Sequence, residues 1–401
     1  MGQRIYEIAL FLPPTPGYLS DVVTGVQEYA RSSGSWAVEV CYTLAIAEST
    51  VKTWKPDGIL LNAVDGDWAP LIRKLARPTV QIGGLMIPGI PQVRTDNQAI
   101  GQLASKYLLD RGFQRFAYFG YGNIPWANQR RVAFETALQA RGLTCISFNA
   151  QSSEIHSSNI TGVVADWVRS LPKPIAIFAC HDRAAMILGH ACGYVGLDVP
   201  DQVAILGVDN NIFECGFTTP PISSIMGSAR RIGYHAAALL DAQIKGQKVD
   251  LTPMAVQPAG VHTRASTDIF AVSDLDVAAA LKYIDAHAGE ALLVEDVARA
   301  VIVSRRMLER KFRAILHHSP RERILRAHLE VAKRLLIQTD VSMLDAALRS
   351  GFPSGSKFSA VFKREVGVSP RDFRRLYSAV PTTTASNRFD VSPHRDTELY
   401  P

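Results

Sequence analysis

The sequence predicts an α/β domain built on a parallel sheet, followed by an all-α domain. Three observations carry this expectation. Over residues 4–265, short β-branched or aromatic runs alternate with helical stretches, the pattern of a parallel sheet covered by helices. After a short polar stretch at 268–275 the periodicity becomes purely helical. Within that helical region a single unit is written twice at a spacing of about 50 residues, with Phe312 answering to Phe362 and Ser319-Pro320 to Ser369-Pro370.

In the α/β region the spacing predicts strands at 6–12, 37–42, 58–62, 79–83, 116–120, 144–148, 175–179 and 203–208. Helices are expected between them at 20–32, 97–111, 129–141, 162–170, 183–194 and 229–245. In an open parallel sheet a ligand sits outside the carboxyl ends of the strands, where the loops are free and helix N-termini point inward. The loops after Leu12, Gly120, Ala179 and Val208 are therefore the first places to look.

In the helical region Val277, Leu281 and Ile284 form one apolar stripe, and helices are predicted at 292–301, 304–316, 320–338, 344–350, 354–365 and 370–377. A short helix, a tight turn and a basic helix, written in tandem, make a helix-turn-helix pair, a device for reading DNA. In the first basic helix Ser304 is a natural N-cap, Leu308 and Phe312 face inward, and Arg305, Arg306, Glu309 and Arg310 face solvent. Arg forks onto guanine O6 and N7, and Glu accepts from cytosine N4. The second basic helix exposes Gly355, Ser356, Lys357, Ser359 and Ala360, side chains suited to positioning on phosphates. His317-His318 at the end of the first basic helix is expected to touch backbone or phosphate. The segment 274–380 is expected to stand as an autonomous DNA-binding unit.

Composition narrows the function classes. A chain of 401 residues is too long for one ordinary core, and 47% apolar with 20% charged residues describes a folded globular protein. Residues 276–377 hold 19 Lys/Arg against 12 Asp/Glu, so the remainder of a chain of net charge +6 is near neutral and the basic segment is the partner-facing one. No run of eighteen apolar residues appears and residues 1–12 do not form a signal h-region, so no membrane partner and a cytoplasmic location are expected. The five cysteines, Cys41, Cys145, Cys180, Cys192 and Cys215, lack C-x-x-C spacing and read as small apolar side chains. No nucleophile elbow, phosphate-cradling loop or metal-spaced His/Cys set occurs, so neither catalysis, a metal nor a cofactor is expected.

Gly351-Phe352, Phe358, Phe362-Lys363, Gly367 and Ser369-Pro370, together with the basic first unit, resemble the AraC/XylS-type DNA-binding domain. That resemblance implies two helix-turn-helix units, at 292–316 and 343–366 of a domain spanning 276–378, joined by the helix at 320–338 and entering successive major grooves. Ile302 stands where this family usually has Gly in the first turn. A β-branched residue resists a left-handed backbone, so a differently shaped turn is expected there.

Residues 1–267 resemble the LacI-type effector domain, itself similar to periplasmic sugar-binding proteins, and the resemblance implies a two-lobed, periplasmic-binding-protein-like sensor. The matching segments are Gly25-Val26-Gln27-Glu28-Tyr29-Ala30, Val93-Arg94-Thr95-Asp96-Asn97, Arg130 ahead of Ala133-Phe134, Ile177 through Asp182, Pro200 through Asn210 and Thr219-Pro220-Pro221-Ile222. Residues 268–275 would be the linker, and 379–401, rich in Thr, Ser, Asn, Asp and Pro, a disordered tail. A LacI-like sensor ahead of an AraC-type reader is the arrangement of the xylose-operon activators, and Trp126-Ala127 ahead of Arg130, with Tyr18 ahead of Val22-Val23, also resembles that group.

Arg130, Asp182 and Asp209 fall at loops or helix starts beyond strand ends, where charged groups make the directional hydrogen bonds a hydroxyl-rich ligand needs. Tyr18 or Trp126 would cover the apolar face of a sugar ring. The structural alternatives are that Asp182 caps the helix at 183–194, that Asp209 orders its own loop and that Arg130 is a surface residue. The resemblance implies a sugar effector, D-xylose first, acting on a homodimer that engages double-stranded promoter half-sites, with RNA polymerase as a further partner. A regulator of another sugar or of a nucleoside remains open. A carbohydrate-transport protein is disfavoured by the tandem reader.

Overall fold

The computed structural model describes residues 4–12, 17–33, 36–63, 67–151, 159–272 and 274–377. The tail at 379–401 lies outside the described residues. The architecture is the expected one: two α/β lobes and an all-α domain.

The first lobe is a six-stranded parallel sheet in the order β11 (Met254–Val256), β5 (Gln92–Thr95), β4 (Thr79–Ile82), β3 (Gly58–Leu61), β1 (Tyr6–Phe11) and β2 (Trp36–Cys41). The second runs β12 (Gly260–His262), β10 (Ser223–Met226), β9 (Val203–Val208), β8 (Ile175–Ala179), β6 (Phe116–Tyr121) and β7 (Cys145–Ala150), parallel except for β12 against β10. The chain passes between the lobes after Thr95, after Met226 and after Val256. Each passage leaves a strand end beside the gap between the sheets, so side chains from both lobes converge there.

Central strands β3, β6, β8 and β9 are buried at every position, which is why they read as continuous apolar runs. In the first lobe the helix Tyr18–Ser33 lies against the helix Ala229–Ile244 with backbones almost touching. A Cβ on Gly25 would stand 1.8 Å from the Arg230 carbonyl oxygen, and one on Gly233 2.0 Å from that of Val22, so this crossing admits only glycine at both points.

The helical domain is two modules on one helix. Phe312, Leu308, Leu281, Val297 and Ile324 close the first core, while Phe358, Phe362, Phe352, Phe373 and Leu336 close the second. Pro320–Gln338 supplies Ile324 and Ala327 to one and Leu329, Ala332 and Leu336 to the other. Ser304, Ser319, Ser354 and Ser369 each accept the backbone N–H three residues on, and Ser319 with Glu322 forms a full capping box.

Two expectations are corrected here, and a third is met. Ile302 does adopt the left-handed conformation, φ 56°, matching Gly351 at φ 77° in the second turn, so the two turns share one shape despite the β-branched residue. The stretch 268–275 is no free linker. Ile269 and Ala271 pack on the second lobe, Phe270 and Val272 on the first helical module, and Ala271 N–H donates to the Arg111 carbonyl at 2.8 Å. His318 meets the backbone as expected, its Nδ1 3.2 Å from the Ser319 carbonyl oxygen, and the ring is buried, with Nε2 3.8 Å from Asp110 of the second lobe.

Candidate effector cleft and DNA-reading face

The cleft is built from strand ends. β9 delivers Asp209 in a left-handed backbone, φ 98°, its N–H held by the Ile225 carbonyl at 2.9 Å. Opposite stands Arg130, on the helix Pro125–Gln139 and only 5% exposed. Its Nε donates to Asn97 Oδ1 at 3.0 Å and one terminal nitrogen to the Cys180 carbonyl at 2.5 Å. The other terminal nitrogen lies 4.0 Å from Asp209 Oδ1. That is a charge pair without a close hydrogen bond, and among the described residues no donor stands in hydrogen-bonding contact with the Asp209 carboxylate. Burial pushes the Asp209 carboxyl up, and the Arg130 charge opposes it.

Tyr18 comes from the other lobe, at the start of the helix after β1. Burial raises its phenol to about 12; a hydrogen bond to Thr95 opposes that shift, Asp209 adds to it and Arg130 again opposes it. A first-lobe hydroxyl that feels both Arg130 and Asp209 marks the line along which the lobes face one another. Trp126 is half-buried, its ring 4.8 Å from the Arg130 guanidinium carbon, and it meets Tyr121 edge-on at 5.9 Å and His181 at 5.8 Å. The cleft therefore has a charged end, Arg130 with Asp209, and an aromatic wall beside it, the pairing a polyhydroxylated ring requires.

Asp182 departs from the expectation of a ligand. It is 1% exposed, one oxygen accepts Ser224 Oγ–H at 2.6 Å and the other the Asn211 N–H at 2.7 Å. Burial pushes its carboxyl well up, with the nearby Asp209 charge acting the same way. Asp182 braces the loop after β9 from behind. Nor does it cap its helix: His181 does, accepting the Ala184 N–H on Nδ1. Asn97, Tyr121 and His181 also adjoin Arg130 or Trp126, beyond the residues that the sequence points to. Asn97 and His181 lie within segments that carry the family resemblance, whereas Tyr121 ends a fully buried strand and reads as core.

On the helical domain, Arg306 and Arg310 of the helix Arg305–Leu316 are exposed, and among the described residues Arg306 has no polar partner. Arg305 is committed elsewhere, with Nε donating to Glu309 at 2.9 Å and a second bond to Glu295. Glu309 is thereby engaged by Arg305, and Arg310 touches Met307 Sδ at 3.0 Å. Ser304 spends its hydroxyl on the Met307 N–H. On Gly355–Val366, Ser356, Lys357 and Ser359 are all exposed, with Ser356 Oγ 3.2 Å from Ser354 Oγ. Among the described residues no helix is long and apolar enough to cross a membrane, and no cluster of metal-binding side chains occurs.

The reader is docked on both lobes. Arg326 of the long helix lies 2.5 Å from Asp110 in the second lobe. Tyr377 of the helix Pro370–Tyr377 bonds Arg231 on Ala229–Ile244 and stacks under it at 4.8 Å, and its hydroxyl donates to the Gln257 carbonyl at 3.3 Å.

Residues 105–267 match a periplasmic binding protein-like domain and residues 297–376 a helix-turn-helix domain. The xylose operon regulatory protein of Haemophilus influenzae is 30% identical over 93% of this chain and 99% of its own length. That of Escherichia coli K12 is 28% identical over 95% of this chain and its whole length. Among solved structures, a xylose-binding transcription activator superposes with a TM-score of 0.61 at 28% identity over 94% of this chain and all of its own. A LacI family regulator from Enterococcus faecium with bound ribose shares the sensor fold over 65% of this chain, with a TM-score of 0.55 at 23% identity.

Proposed function

Since the chain belongs to the family of the xylose operon regulatory proteins, sugar-responsive DNA-binding regulators and not enzymes, we propose that it activates pentose-catabolism genes and that its effector is D-xylose. The sugar would enter between the lobes. Asp209 accepts its hydroxyls, Arg130 donates to them from a guanidinium already fixed by Asn97 and Cys180, and Tyr18 and Trp126 close over the ring. The observation that carries this is the Arg130–Asp209 pair, held 4.0 Å apart with the carboxylate unsatisfied, facing the Tyr18 phenol of the other lobe.

Binding shifts a conformational equilibrium only through differential affinity. Here the ligand bridges the lobes, so the closed arrangement gains the contacts. The reader is bonded to Arg231 on one lobe and Asp110 on the other, so closure changes the distance between its own anchor points. In a homodimer this resets which half-sites of double-stranded DNA the two readers reach together. The protein acts in the cytoplasm, where its promoter is, and engages RNA polymerase from the bound half-sites. Thermal melting with a panel of pentoses, hexoses and nucleosides tests the effector: D-xylose raises the midpoint by mass action. No shift with any pentose, beside a clear one with a nucleoside, overturns the proposal.

A further inference from the structure

Tyr121 and His181 form a dyad whose proton positions are fixed by one backbone contact. His181 Nδ1 accepts the Ala184 N–H at 3.1 Å as the cap of the helix Asp182–Tyr194, so that nitrogen carries no proton. The proton of the neutral ring is then on Nε2, which lies 3.0 Å from the Tyr121 hydroxyl. Nε2–H donates, and Tyr121 Oη accepts. The Tyr121 O–H is left pointing elsewhere, and among the described residues it meets no acceptor. Tyr121 is 6% exposed, so water is a poor substitute partner. It ends β6 at the ligand side of the sheet, edge-on to Trp126, whose face carries the Arg130 guanidinium.

We propose that Tyr121 is a hydrogen-bond donor to one oxygen of the sugar effector, and that His181 is the positioning residue that aims it. This rests on the sugar-effector reading above. It adds selectivity: Asp209 accepts and Arg130 donates at the charged end, whereas Tyr121 donates from the aromatic wall, so the cleft reads an acceptor oxygen on a second edge of the ring. A sugar lacking that oxygen leaves a buried donor unpaired, and discrimination of this kind is larger than an apolar pocket supplies.

The test is calorimetric titration of the full chain with D-xylose and its monodeoxy analogues, using wild type, Tyr121→Phe and His181→Asn. Tyr121→Phe keeps the ring and weakens D-xylose binding about 10- to 50-fold, the loss of one buried hydrogen bond. One monodeoxy sugar binds wild type weakly and binds Tyr121→Phe no worse, because the contact it lacks is the one removed. His181→Asn retains the helix cap but is too short to hold Tyr121, so the penalty for that deoxy sugar shrinks while the melting point of the apo protein is kept. Nitrogen NMR of the wild-type ring shows a protonated Nε2 and an unprotonated Nδ1. D-xylose affinity in Tyr121→Phe within twofold of wild type, or a proton on Nδ1, overturns the assignment with the effector reading intact. Wild type that binds no pentose overturns both.

Discussion

Arg326 of the reader and Asp110 of the sensor meet at 2.5 Å, and His318 lies 3.8 Å from the same carboxylate. Asp110 caps the end of the helix Asn97–Leu109, the first element after the chain enters the second lobe, so it moves with that lobe. Arg326 sits in the first half of the helix that joins both DNA-reading modules, between Ile324 and Ala327 of the first core. A motion of the second lobe would thus reach the joining helix through Asp110.

Asp110→Asn should loosen this coupling without touching the cleft. Sugar affinity stays near that of wild type, while the sugar-dependent change in DNA affinity shrinks by about 1 kcal/mol, a typical share of an allosteric coupling. Stability falls by about 1 kcal/mol, since the pair is partly solvated. DNA titrations with and without D-xylose measure the first effect. An unchanged sugar response would shift transmission to the Arg231–Tyr377 contact and the apolar packing between sensor and reader.

Asp209→Ala should abolish the ligand-induced rise in melting temperature, with a loss on the order of 2–4 kcal/mol in sugar binding, because it removes the main acceptor and strands Arg130. The isolated effect on DNA affinity without sugar is small. Equal calorimetric affinities for variant and wild type would return Asp209 to the role of ordering the loop after β9.

On DNA, Arg306→Ala should cost about 1–3 kcal/mol on the specific site and relax preference at one base pair. Arg305→Ala costs less, since its guanidinium is already bonded to Glu295 and Glu309. Lys357→Ala weakens binding evenly across sequences and lowers the salt slope by about one ion. Gel-shift titrations over a salt series separate the three. A dominant, base-specific loss from Lys357→Ala would shift readout to the second module.

Acid should destabilise the sensor through His235. Burial holds its folded pKa down at about 4, with Arg231 acting the same way, below the ordinary histidine value of 6.5. The unfolded state therefore binds the proton first. Stability is complete above the unfolded pKa and falls as pH drops through the interval down to about 4, by about 2 kcal/mol at pH 5. His318, His262 and His328 shift in the same direction, each chiefly by burial. Urea denaturation of His235→Gln between pH 7 and pH 5 should show a flatter decline than wild type.

Much of this architecture is legible where one physical signal dominates. β8 and β9 occupy their expected positions because each is a short, continuous apolar run of five or six buried residues, too short for a helix and bounded by turns. β5, β10, β11 and β12 are three or four residues long and mixed in character, too short for a period to declare itself. Asp209 stands out as a charged residue directly past a strand end, whereas Arg130, inside the helix Pro125–Gln139, is marked only by the segment that carries the family resemblance. Asp182 looks the same in sequence whether its carboxylate faces the cleft or, as here, Ser224 and the Asn211 N–H behind it. Ile302 reads as a breach of turn chemistry, yet the neighbouring cores hold the left-handed backbone against its preference, and its side chain is 92% exposed.

The second helical module closes its core with sensor residues: Ala259, from the passage between β11 and β12, is 4% exposed among Leu329, Ala332 and Leu336, with Met226 packed beside it. The first module likewise takes Phe270 and Val272 from the connecting stretch. Sensor and reader consequently share apolar interior and should melt as one cooperative unit, whereas a fragment cut at 274 would bare one flank of its long helix. An effector that tightens the sensor should therefore also protect the reader from proteases.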